Sequence, residues 1–77
     1  MPTILKIGPY RFFFYSREDG EPIHIHVIRE RFEAKFWLDP VRLANNEGFA
    51  QHELKRLESI VAENKEVFQN AWQELKK

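Results

Sequence analysis

Polar and apolar side chains alternate along Pro22-Ile23-His24-Ile25-His26-Val27, so an extended chain here shows Ile23, Ile25 and Val27 on one side and His24, His26 and Ile28 on the other. The next stretch repeats the pattern, with Phe32, Ala34, Phe36 and Leu38 set against Glu33, Lys35 and Trp37. A hairpin closing at Glu30-Arg31 places Val27 opposite Ala34, Ile25 opposite Phe36, His26 opposite Lys35 and His24 opposite Trp37. Both apolar sets then coincide. A slip by one residue would move histidines among phenylalanines, so the pattern specifies its own register. Glu30-Arg31 lacks the Asn-Gly or Asp-Gly chemistry favoured in two-residue loops, and a four-residue loop from Arg29 to Phe32 preserves the same pairing.

Thr3 to Ile7 reads as a short strand ended by Gly8-Pro9, and Tyr10 to Ser16 as a second strand. Arg11-Phe12-Phe13-Phe14-Tyr15 carries aromatics on both sides, which requires cover on two faces or a subunit contact. Arg17 to Glu21, around Asp19-Gly20, predicts a turn, and Pro22 opens the histidine strand. After Asp39-Pro40, Val41-Arg42-Leu43 fits a short edge strand, and Asn45-Asn46-Glu47-Gly48 has loop composition.

From Ala50 the period changes to that of a helix. Leu54, Leu57, Val61, Phe68, Trp72 and Leu75 form one stripe, flanked by Ile60, Val67 and Ala71. Glu53 stands where the acidic member of a capping box belongs, while Ala50 occupies the cap position. An unbroken helix to Lys76 would be about 40 Å long, against about 20–23 Å for strands of six or seven residues. A break at Asn64 resolves the mismatch; otherwise Val67, Phe68, Trp72 and Leu75 overhang to cover a second subunit or another protein. The expected fold is therefore α+β: a four- or five-stranded, mainly antiparallel sheet with a long C-terminal amphipathic helix, breakable near Asn64, packed on the face of Ile25, Val27, Ala34 and Phe36. Residues 1–77 are read as a single domain, with a strand region 1–44, a loop 45–49 and a helix 50–76.

Composition narrows the setting. Seventy-seven residues lie near the lower limit for one unstapled core, and the absence of cysteine removes disulfides as a support. Eleven aromatics compensate, eight of them before Leu38, since each buried ring removes about 150–250 Å² from water. Met1 to Lys6 has no basic segment followed by an apolar run, and no stretch approaches a membrane span. A soluble cytoplasmic protein is expected. Twelve basic and twelve acidic residues cancel over the whole chain, and residues 1–44 carry seven basic and six acidic groups against five and six in residues 45–77, so net charge gives a nucleic-acid partner no support and none to an acidic membrane.

The residues name no reaction, but they offer a candidate site. In a nuclease reading, His24 or His26 acts as general base or acid, Lys35 stabilises phosphate charge, and Tyr15 or Trp37 stacks a base. A metal reading takes His24 and His26 with Glu33, or His52, as a further ligand; the His-x-His pair alone is a thin signal, and no metal or other cofactor is expected. In the structural reading His24 stacks on Trp37, His26 bonds a carboxylate or carbonyl, and His52 is exposed on the first helical turn. Arg29-Glu30-Arg31 is then a solvated turn and Lys76-Lys77 a solvated end.

Phe13-Phe14-Tyr15-Ser16, Pro22-x-His24-x-His26-Val27, Glu33 to Leu38, Pro40-Val41-Arg42-Leu43, and Gly48-Phe49 before Glu53-Leu54 together resemble a small bacterial family of domains of unknown function, numbered four thousand one hundred and sixty. The resemblance runs from Pro2 to Trp72. It departs at Ile23, where members have a second proline, and at Ala50, where they have Ser or Thr. Members are often encoded beside a second small protein, similar in organisation to toxin–antitoxin modules. The resemblance thus implies a protein partner and a toxin role; the aromatic surface adds a homodimer as a second expectation, and the histidine face a metal-independent ribonuclease toxin as the alternative.

Overall fold

The computed structural model describes residues 3–15 and 20–75. Five antiparallel strands follow one another across a single sheet in chain order: β1 (Thr3–Ile7), β2 (Tyr10–Phe13), β3 (His24–Arg29), β4 (Phe32–Leu38) and β5 (Val41–Glu47). The fold is α+β, completed by two C-terminal helices, α1 (Gln51–Glu63) and α2 (Lys65–Leu75). Each tight connection follows from its residues. Gly8 supplies a left-handed φ of 55° between β1 and β2, and Asp39-Pro40, joined by a cis peptide bond, turns β4 into β5.

The β3–β4 hairpin has the register that its alternation specifies: Val27 pairs with Ala34, Ile25 with Phe36, His26 with Lys35 and His24 with Trp37. Arg29 pairs with Phe32, so the loop has two residues, and Glu30 takes a left-handed φ of 55° in a place that glycine usually fills. The expected end of β2 at Ser16, most of the Arg17–Glu21 turn, and the Lys76-Lys77 end lie outside the described residues.

One expectation is corrected. Asn45, Asn46 and Glu47 belong to β5 rather than to a loop 45–49, so strand structure continues past residue 44. Loop composition misleads because β5 is an edge strand with little to bury, and because Ala44 is an extra residue: Leu43 pairs with Phe36 and Asn45 with Lys35. Asn46 then ends the strand by exchanging two 3.0 Å hydrogen bonds with the Phe49 backbone.

A buried cluster joins Phe12, Phe14, Ile25, Val27, Ala34, Phe36 and Leu38 to Leu54, Leu57, Val61, Phe68 and Trp72 of the helices. Phe12 and Phe68 bring the two layers together, their rings 5.2 Å apart. Phe12, Phe13 and Phe14 are all buried within the chain, so the aromatic run has cover on both sides without a second subunit.

Instead of a single long helix there are two, and the junction is Asn64. Its side-chain amide donates to the Ile60 carbonyl (2.8 Å) and closes the end of α1, while its own carbonyl accepts the Phe68 N–H that begins α2. Ala50 caps α1 with backbone alone, its carbonyl accepting from Glu53 and Leu54. Glu53 makes no capping-box bond; its carboxylate is turned elsewhere.

Candidate functional site

Cross-strand pairing collects the chemically capable side chains of β3 and β4 on one side of the sheet. His26 faces Lys35 and His24 faces Trp37, with Glu33 diagonal to His26. Tyr15 joins them from the end of the aromatic run, and its hydroxyl donates to Glu33 at 2.9 and 3.1 Å from the two carboxylate oxygens. Nδ1 of His26 lies 3.4 Å from Glu33 Oε2, a contact that is an ion pair only when the imidazole carries a second proton. The ring itself lies between Phe13, nearly parallel at 5.6 Å, and Tyr15, edge-on at 4.5 Å. Sequence reasoning put Tyr15, His26 and Lys35 in one candidate site and offered Glu33 as a further ligand; the pairing of β3 with β4 sets Lys35 across from His26, with Glu33 and Tyr15 beside the ring.

His24 is placed differently from the expectation that both imidazoles look away from the helices. It is 0 % exposed and packs against Trp72 of α2 (5.0 Å) as well as Trp37 (5.9 Å) and His26 (5.1 Å). Trp72 also meets Phe14 at 5.3 Å, so the ring that closes over His24 belongs to the same buried cluster as Phe12, Ile25 and Val27. Alternation assigns His24 to a face but cannot show which distant residue closes over it. Nδ1 of His24 lies 2.9 Å from the Pro22 carbonyl. A carbonyl only accepts, so Nδ1 carries the proton and, in the neutral ring, Nε2 holds the lone pair.

A group that exchanges a proton with a substrate must come within hydrogen-bond reach of it. His24 is enclosed and His26 is 6 % exposed. Lys35 is paired with Glu21 and lies 4.7 Å above the Trp37 ring, so its charge is already balanced within the chain. Among the described residues, no group of three or more His, Asp or Glu side chains could hold a metal ion, and His52 stands exposed on α1. Two shallow grooves lie elsewhere. One runs between β5 and α1, lined by Phe36, Leu43 and Leu54; the other lies between β1 and α2, lined by Ile4, Phe14, Ala71 and Leu75.

A second polar cluster escaped sequence reasoning. Arg29 approaches Glu53 with two guanidinium nitrogens at 2.8 Å, and the Tyr10 hydroxyl donates to the same carboxylate at 2.6 Å. Arg29 is therefore not a solvated turn residue. Its guanidinium lies over Phe32 (5.1 Å) and Phe49 (5.7 Å), which screen the pair from water. The Arg29 bond and then the Tyr10 bond hold the Glu53 carboxyl below the usual carboxylate range. Burial, followed by the bond to Glu53, raises the Tyr10 phenol. The only sequence signal was an acidic residue at the third helical position with no capping serine to serve.

Fold and site together define a small α+β meander whose histidine-bearing strand is closed in by aromatic rings. The chain belongs to the family described as a domain of unknown function (DUF4160), whose model matches residues 10–73. That span holds every block of the resemblance and omits only its expected start at Pro2. No curated protein and no solved structure matches the chain.

Proposed function

We propose that the chain is a protein-interaction module of a toxin–antitoxin-like pair in the bacterial cytoplasm, and that its partner is the small protein encoded beside it. The observation that carries this reading is the apolar stripe left uncovered on α2. Val67, Ala71 and Leu75 recur every fourth residue and so share one side of the helix. Val67 and Leu75 are each 47 % exposed, and Ala71 and Leu75 border the groove shared with Ile4 and Phe14. An apolar helix stripe beside an apolar groove suits a protein partner that buries both. No helix among the described residues is long and apolar enough to cross a membrane, which removes one other use for such a stripe.

The ribonuclease reading finds less support. It requires His24 or His26 to exchange a proton with the RNA, Lys35 to meet a phosphate and Tyr15 or Trp37 to stack a base, whereas His24 and His26 are buried, Lys35 is paired with Glu21 and Tyr15 donates to Glu33.

Size-exclusion chromatography with the protein encoded alongside separates the two. The wild-type chain should form a complex, and Val67→Asp combined with Leu75→Asp should abolish it with the thermal midpoint unchanged, because both positions are exposed. His26→Asn should bind normally. Intact binding by the double aspartate variant would overturn the reading, as would RNA cleavage that His26→Asn removes.

A further inference from the structure

We infer that β5 is a self-pairing edge, through which two copies of the chain associate antiparallel about a twofold axis between Ala44 and Asn45. The surface is distinct from the α2 stripe, and the inference does not depend on the function proposed for that stripe.

The alternation of β5 carries it. Arg42, Asn45 and Glu47 pair with Trp37, Lys35 and Glu33, and so lie on the histidine side of the sheet. Val41, Leu43 and Asn46 pair with Leu38, Phe36 and Ala34, and so lie on the other side. Arg42 and Glu47 are five residues apart, and in a regular strand an odd separation puts two residues on opposite faces. The extra residue at Ala44 brings them onto the same one. Two copies related by the proposed axis then set Arg42 of each opposite Glu47 of the other, and Leu43 of each opposite Asn46 of the other. Both of these pairings match in face, and the charged one is of opposite sign, twice.

Two features of the single chain fit this occupant. Glu47 stands directly across from Glu33 within the sheet, an opposition of like charges that an arginine from a second copy would offset. Leu43 is 43 % exposed, and the second copy would cover it. A bulge on an edge strand ordinarily discourages pairing, but here it is what aligns the complementary charges. The other edge offers no such match. Lys6 is the only charged residue of β1, so pairing β1 with itself would bring two lysines into one ribbon.

Self-complementarity makes the test internal. In sedimentation velocity over a concentration series, the wild-type chain should pass from monomer to dimer. Arg42→Glu and Glu47→Arg should each weaken the dimer by about tenfold or more, since like charges then meet twice at a symmetric contact. An equimolar mixture of these two variants should associate again, because each then carries the sign the other lacks. Circular dichroism shows whether both variants are folded, and the α2 partner assay should be unaffected by either. A wild-type chain that stays monomeric at millimolar concentration overturns the inference. So does a dimer insensitive to both variants, or folded variants that fail to rescue each other.

Discussion

Glu53 and Glu33 each accept a tyrosine hydroxyl and each meet a basic side chain, yet the two carboxylates hold the molecule in different ways. Glu53, from α1, receives a permanently charged guanidinium in a two-point grip that ties the helix to β3 and, through Tyr10, to β2. Glu33, from β4, meets an imidazole at 3.4 Å whose charge depends on a proton, and a hydroxyl from the end of the aromatic run. A planar fork on a carboxylate fixes both distance and orientation. A ring edge and a hydroxyl fix less, and stacking on Phe13 supplies the rest. The first cluster is thus a fastening between layers, and the second a polar insertion in an aromatic surface.

Substitutions at four positions would break or sharpen that contrast. The largest effect is expected from Gly48→Ala. Gly48 has φ of 109°, and a β-carbon there would run into the Phe32 ring on which Arg29 rests. Backbone strain and overpacking together should cost about 2–4 kcal/mol in urea denaturation. A wild-type midpoint would mean that the Phe32 platform is not needed for the fastening.

Next comes Glu53→Ala, which should lower stability by about 2–3 kcal/mol through the loss of charge-assisted hydrogen bonds. Its carboxyl is held low when folded, so the unfolded chain binds more protons as the medium becomes acidic. The contribution is complete above the unfolded carboxylate pKa and disappears as pH falls through the folded value. Stability curves of wild type and Glu53→Gln should therefore run apart at neutral pH and converge in acid; parallel curves would refute the assignment.

Glu33→Gln keeps an acceptor for Tyr15 and should cost about 1 kcal/mol or less by the same measurement. A loss equal to that of Glu53→Ala would erase the distinction between the two clusters. Smallest is a gain. Ala50→Ser should add about 0.5–1 kcal/mol, the lower part of the usual range for an N-cap, because Glu53 is committed to Arg29 and cannot close the capping box. A larger rise in the denaturation midpoint would indicate that Glu53 can leave its partners.

The β3–β4 register was legible because in a misplaced strand Ile25 and Val27 would leave the side they share with Phe36 and Ala34, a conflict that neighbouring residues state by themselves. The break at Asn64 was legible from length, since one rod from residue 50 to residue 76 outruns the strands beneath it. The Glu53 fastening was not, because it joins positions 24 and 43 residues apart and no periodicity relates a turn arginine to a helical glutamate. The far half of β5 was hidden by composition: an edge strand needs few apolar residues, and Asn45-Asn46 reads as loop until its pairing with β4 is seen. At the candidate site, alternation placed His26, Lys35 and Trp37 on a common side, while Trp72 against His24 depends on where a second helix returns.

Asn64 also settles the azimuth of everything that follows it. Each residue of an α-helix advances the direction of its side chain by about 100°. Removing one residue at the junction would swing the indole of Trp72 about a quarter-turn from both His24 and Phe14, and carry the Phe68 ring off Phe12 by the same angle. The asparagine is therefore a phase lock as well as a stop, and the length of the connection between the two rods is as constrained as any contact they make.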